Sequence, residues 1–234
     1  MTTNVNGPTM LYVGAWYDHP KLVRHFLSDA RTNVNLGRTD YEDTPLTIAT
    51  IKGNYVCAQL LAGHPHVDVN KADINGLTPL MAAAHMGHHD ILELLLMDDL
   101  PSLVDHHPAW RKMVVTSLLC GNNTTQFFGS SLKKLPILVW RFIFSFFRPR
   151  TYVNQVLVTK ESLSTKGVQL GLVPGASALW LAAAAGKTLC VEHLLAHADI
   201  DMRRPDAAGR TSYQIAQENG HAACATLLLT AGAV

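Results

Sequence analysis

The feature that most constrains this chain is an internal period of 34 residues. The segment Thr44-Pro45-Leu46-Thr47-Ile48-Ala49-Thr50-Ile51-Lys52-Gly53-Asn54 returns as Thr78-Pro79-Leu80-Met81-Ala82-Ala83-Ala84-His85-Met86-Gly87-His88. A second pair starts at Ser177-Ala178-Leu179-Trp180-Leu181-Ala182-Ala183 with Gly186-Lys187, and at Thr211-Ser212-Tyr213-Gln214-Ile215-Ala216 with Gly220-His221, again 34 residues apart. A weaker copy, Thr9-Met10-Leu11 with Gly14-Ala15, precedes Thr44 by 35 residues and continues into Leu22-Val23 and Phe26-Leu27. A fixed period of this size marks units that cannot bury an apolar face alone and must stack on their neighbours.

The residues of the unit predict its conformation. A Thr hydroxyl accepts a free backbone N–H at a helix start, and the Pro after it has its φ preset for the first turn, where its missing N–H is no loss. Paired alanines at 82–83 and 182–183 favour helix and leave neighbouring first helices room for close approach. Gly53, Gly87, Gly186 and Gly220 fall where that helix must end, and glycine accepts the left-handed conformation used there. Apolar residues then recur at helical spacing: Cys57, Leu60 and Leu61; Ile91, Leu94 and Leu95; Val191, Leu194 and Leu195; Cys224, Leu227 and Leu228. Asn33-Val34-Asn35, Asp68-Val69-Asn70 and Asp199-Ile200-Asp201 follow as projecting turns. The predicted unit is helix, tight turn, helix, hairpin-like loop.

This pattern resembles the ankyrin repeat, most closely at Asp73-Ile74-Asn75-Gly76-Leu77-Thr78-Pro79-Leu80, against the family's T-P-L-H-x-A signature. Thr47, Met81, Trp180 and Gln214 replace the usual His, and Ser177-Ala178 replaces Thr-Pro. The resemblance covers roughly 9–104 and 172–234 and implies an all-α solenoid of stacked helix-turn-helix units. Three organisational segments are expected: an N-terminal block, 1–105, of about three repeats, the first a capping one; an atypical basic and aromatic insert or degenerate repeats, 106–171; and a C-terminal block, 172–234, of about two repeats.

The middle segment has its own composition. Residues 106–173 hold nine Lys or Arg against a single acid, Glu161, while the rest of the chain holds ten basic and seventeen acidic residues. The formal net charge of +1 is therefore a cancellation. Six of the seven phenylalanines lie here, concentrated in the run from Leu135 to Arg148. Arg141 interrupts that run, which is too short for a span needing about 20 apolar residues. Four readings remain open: packing on the repeats, a partner-binding element, translated intron sequence, or peripheral membrane contact. In the last, Trp140, Phe142 and Phe146 enter the interface while Lys133, Lys134, Arg148 and Arg150 meet anionic headgroups.

Several function classes are disfavoured. A near-neutral chain lacks the excess of cations that general nucleic-acid binding uses to displace counterions. Twelve histidines include the group His85, His88, His89, His106 and His107, but no Cys or carboxylate stands at ligand spacing beside them, so neither metal nor cofactor is expected. No nucleophile elbow or phosphate loop occurs, and one carboxylate in the insert supplies few general acids or bases, so no catalytic residue is assigned. The scattered cysteines at 57, 120, 190 and 224 suit a reducing compartment. The opening MTTNVNGPTM shows no signal-peptide pattern. Together these predict an intracellular protein, cytoplasmic rather than nuclear, and monomeric.

The resemblance implies a protein-protein interaction module or adaptor whose partner contacts come from loop tips and from the exposed side of the first helices. On this sequence those positions are Tyr41, Glu42 and Asp43; Ile51 and Lys52; Ile74, Asn75 and Leu77; His85 and Met86; and Arg210, Glu218 and Asn219. Tyr41 to Asp43, next to Asp40, form an acidic aromatic tip suited to a basic partner surface. The partner is a protein of unknown identity.

Overall fold

The computed structural model describes residues 9–38, 40–96, 153–157 and 172–233. All belong to one of two compact units, the one formed by 1–96 with 149–234. Among the described residues the fold is all-α, as expected. Five pairs of helices follow in order: α1 (Met10–Trp16) and α2 (Pro20–Ser28); α3 (Pro45–Lys52) and α4 (Tyr55–Ala62); α5 (Pro79–Met86) and α6 (His89–Leu96); α7 (Ala178–Ala184) and α8 (Thr188–Leu195); α9 (Ser212–Glu218) and α10 (Ala222–Thr230).

Every first helix begins the same way. The hydroxyls of Thr9, Thr44, Thr78, Ser177 and Thr211 each accept the backbone N–H three residues on, at 3.1–3.3 Å. Ser177 thus keeps the cap although the proline is gone. Gln214 completes a reciprocal box, its Oε1 accepting Thr211 N–H at 2.8 Å. Two turns later Gly53 and Gly87 close α3 and α5 at φ 74° and 85°. The first unit solves this turn differently: Gly14 lies inside α1, and Asp18 takes the left-handed conformation at φ 53°. Asp is among the few side-chain-bearing residues for which that region is accessible at modest cost.

First helices pack on first helices and second on second, in sequence order. The interior is small: Ala49, Ala82, Ala83, Ala182, Ala183 and Ala216 are all at most 1% exposed, and larger residues such as Leu46, Leu61, Ile91 and Leu194 fill the space between layers. The third unit stacks directly on the fourth across the intervening chain. There α5 packs on α7, Cys190 Sγ lies 4.0 Å from Ala83 O, and the His89 and His193 rings stack at 6.3 Å.

Residues 153–157, inside the segment counted as insert, are part of this stack. Leu157 N donates to Ala176 O at 3.0 Å and Gly175 N to Leu157 O at 2.9 Å, the same pair of bonds that Asp73 makes with Leu77 and Gly76. Leu157 therefore stands where Asp73 stands, with 158–171 interposed. Asn154 confirms the register. It bonds Asp199 O at 2.6 Å and Asp201 N at 2.7 Å, as Asn35 bonds His66 O at 2.7 Å and Asp68 N at 2.8 Å. Lys71 Nζ reaches Asn35 O and Arg204 Nη1 reaches Asn154 O in the same relation. The hairpin loop between the third and fourth units includes 153–157 and 172–177.

Candidate interaction face

The first helices present one stripe away from their second helices. Its members, at equivalent positions along the stack, are Trp16 and Tyr17, Ile51 and Lys52, His85 and Met86, Ala184 and Ala185, and Glu218 and Asn219. All are half-buried or exposed. One turn earlier the equivalent residues Tyr12, Thr47, Met81 and Trp180 are nearly inaccessible. The open stripe thus runs along the last turn of each first helix and crosses from the third unit to the fourth.

Most of the residues expected at a partner surface lie on this stripe or on the adjoining loop tips. Ile51, Ile74, His85, Met86, Tyr41 and Arg210 are half-buried, and Lys52, Glu42, Glu218 and Asn219 are exposed. Three do not belong. Asp43 is 0% exposed, and Asn75 and Leu77 are each 2% exposed, because the loop spends them on its own structure. Asp73 Oδ1 accepts Asn75 N at 2.8 Å and Leu77 N at 2.9 Å, folding the tip inward. Asp206 repeats the arrangement with Ala208 N and Arg210 N. Asp43 accepts the Tyr12 hydroxyl at 2.9 Å inside the first interface, with Arg38 Nε 3.9 Å from its other oxygen. The acidic tip therefore reduces to Asp40 and Glu42, with Arg38 4.3 Å over the Tyr41 ring.

Cation-aromatic contacts shape the rest. Lys52 Nζ lies 4.3 Å over Trp16, holding a charge at the apolar end of the stripe. Arg210 sits 5.5 Å over Trp180 while bonding Asp206 at 2.8 Å and Glu218 at 3.5 Å. Its charge is thus locally balanced. His85 is pushed below the usual imidazole range, first by burial and then by nearby Lys187, so it is neutral at pH 7. Its Nδ1 and the Nε1 of Trp180 are buried without hydrogen-bond partners.

Burial raises the thiols of Cys57 to about 12 and Cys190 to about 11, which makes them packing groups rather than nucleophiles. Among the described residues no cluster of His, Cys, Asp or Glu is arranged to hold a metal ion, and no helix is long and apolar enough to cross a membrane. Lys133, Lys134, Trp140, Phe142, Phe146, Arg148 and Arg150 lie outside the described residues.

Sequence reasoning missed Trp16 and the Ala184–Ala185 step of the stripe, although their positions relative to Thr9 and Ser177 carried the signal. It also missed Asn154, whose preceding Val153 repeats Val34-Asn35 and Val69-Asn70. A family model described as ankyrin repeats in three copies matches residues 10–101 and 152–234, so its second match starts just before Val153. The search of curated proteins found no match.

Proposed function

The chain belongs to the ankyrin-repeat family, whose repeats are in general protein-protein interaction modules, and on that premise we propose that this protein binds a partner along the first-helix stripe and its loop tips. The observation that carries the reading is the continuity of the stripe from Trp16 to Asn219 across the junction between α5 and α7. A partner segment laid along it meets apolar contact at Trp16, Ile51 and Met86 and polar contact at Lys52, Glu218 and Asn219. Such a mixture of aromatic, apolar and polar side chains along one accessible stripe suits recognition of a partner segment. The role is binding rather than catalysis: the titratable groups on the stripe are spread at most one per repeat instead of converging on one reacting atom.

The experiment is quantitative affinity capture from cells with the full chain, comparing wild type with Ile51→Arg, Met86→Arg and, on the exposed side of α6, Glu93→Arg. Proteins retained by wild type and by Glu93→Arg, and lost with both stripe variants, support the proposal. Loss of the same proteins with Glu93→Arg, or with none of the three, rules the stripe out as the binding surface.

A further inference from the structure

The last described repeat ends in an open groove of about 390 Å³, lined by Ala222, Ala225, Thr226 and Leu229 of α10 and by Tyr213 and Gln217 of α9. The α10 residues fall at i, i+3, i+4 and i+7, so they share one face of the helix. In the earlier repeats the same face is covered by the following second helix. Thr188, in the place of Ala222, has its Oγ1 3.8 Å from Cys224 Sγ, and His89, in the same place, stacks on His193 at 6.3 Å. Ala58, Leu92 and Val191, in the place of Ala225, are fully buried. On α10 this face is open: Leu229 is 51% exposed, and Ala222 and Thr226 are exposed beside it.

The composition of this end is unlike that of a finished cap. A terminal repeat ordinarily turns polar residues outward, yet α10 holds no charged side chain from Ala222 to Thr230. Polarity is confined to α9, where Tyr213 Oη accepts Gln217 Nε2 at 2.7 Å, leaving the phenol proton and Gln217 Oε1 for further bonds.

The covered steps of the stack state what such a face accepts, which is a helix pair joined by a tight turn. At that turn Asn54 Nδ2 bonds Trp16 O at 3.2 Å and His221 Nε2 lies 3.1 Å from Ala184 O, each reaching the same carbonyl of the preceding first helix. Three residues further on, Cys57 and Cys224 place a small side chain, at most 1% exposed, in the interface. In the last described repeat the matching carbonyl is Glu218 O.

We propose that the α9–α10 end is a stacking site for a helix-turn-helix pair of another protein. That pair carries Asn or His in its turn, to donate to Glu218 O, and a small residue three positions later, to lie against Ala222. A side-chain amide on its first helix satisfies Tyr213 and Gln217 together, because it accepts and donates at once. The surface lies across the end of the stack rather than along the stripe. A second copy of this chain is the poorer occupant: its first unit turns through Asp18 where the other four turn through glycine, and its α2 brings Lys21 and Arg24 to a helix with no acid to pair with them.

The test places the photo-cross-linker p-benzoylphenylalanine in the groove of the full chain, at the exposed position of Thr226, and irradiates the cells that express it. Mass spectrometry then locates the cross-linked residue on the other side. The expected product joins position 226 to a helix pair of a different protein with Asn or His in its turn. Its yield should fall roughly tenfold with Leu229→Arg and with Ala222→Arg, each of which sets a charge against an apolar contact. Met86→Arg, on the stripe, should leave the yield unchanged. Both groove positions are exposed, and circular dichroism melts check that the two variants fold. No product, a product with a second copy or with this chain itself, or a product outside such a helix pair overturns the proposal. A product that survives both groove variants, or that is lost with Met86→Arg, is held by another surface and overturns it as well.

Discussion

Replacing Asn154 by alanine tests whether 153–157 is the first arm of the hairpin loop between the third and fourth units. The side chain makes two bonds to the next loop, at 2.6 and 2.7 Å, and alanine removes both while leaving the backbone oxygen that Arg204 contacts. At a surface position each bond is worth about 0.5–1 kcal/mol, so the loss should be about 1–2 kcal/mol. Asn35→Ala removes two bonds of the same kind, at 2.7 and 2.8 Å, and should cost a similar amount. Urea unfolding of the two variants against wild type reads the totals, and amide exchange of Asp201 and Asp68 reads the individual donors. The expected result is a matched pair of destabilisations, each with faster exchange at its own aspartate. If Asn35→Ala loses stability while Asn154→Ala does not, and Asp201 stays protected, the equivalence of the two loops is wrong.

Gly53→Ala and Gly220→Ala both force a side chain into a left-handed turn at a cost of about 1–2 kcal/mol. At Gly53 the new Cβ also meets His88 Cε1 at 2.6 Å, whereas nothing lies within 4 Å at Gly220, so urea unfolding should rank Gly53→Ala as the more damaging. Tyr12 is raised above its ordinary value by burial and by Asp43, and Cys57 and Cys190 are raised by burial. Since each group ionises first in the unfolded chain, their stabilisation is intact below about pH 9 and lost as pH rises toward their folded values; denaturant titrations from pH 8 to 11 should show the decline, reduced in Tyr12→Phe. In the last described repeat Tyr213 and Gln217 hold positions occupied elsewhere by Leu46, Leu80 and Leu179 and by Thr50, Ala84 and Ala183, and they bond one another at 2.7 Å. Tyr213→Leu with Gln217→Ala should expose an apolar end face and produce concentration-dependent association in sedimentation velocity, as expected when a polar capping face is removed.

The helices were legible because their causes are local. A hydroxyl cap, a preset proline and a left-handed glycine act within one turn, and all three recur with the period. The loops were harder because their register is held from outside. Val153-Asn154 is a two-residue signal followed by a long interruption, and only the bonds from Asn154 to Asp199 and Asp201 show that it belongs to a repeat. The first unit has no turn glycine at the equivalent position: the left-handed residue there is Asp18, whose carboxylate also accepts the Cys57 thiol at 3.3 Å.

The same distinction explains which surface residues could be assigned. Ile51, Lys52, His85 and Met86 were implied by the family resemblance at positions on the first helices, and the structure leaves them accessible. Asp43, Asn75 and Leu77 sit in tips where polarity looks like exposure, yet an aspartate folding its own loop must draw its bonding partners inward. Polar character therefore marked structure in the loops, while on the helices the informative signal was distance from the cap. Ala184 and Ala185 attract no notice in a sequence, yet they hold the positions on α7 and at its end that His85 and Met86 hold on α5, and they stay half-buried. The stripe runs through this step only because α5 packs on α7, so residues 99 positions apart at Thr78 and Ser177 act as consecutive steps of one surface. Any partner that reads this step reads both halves of the chain at once, which makes its affinity a direct report on whether the two halves remain stacked.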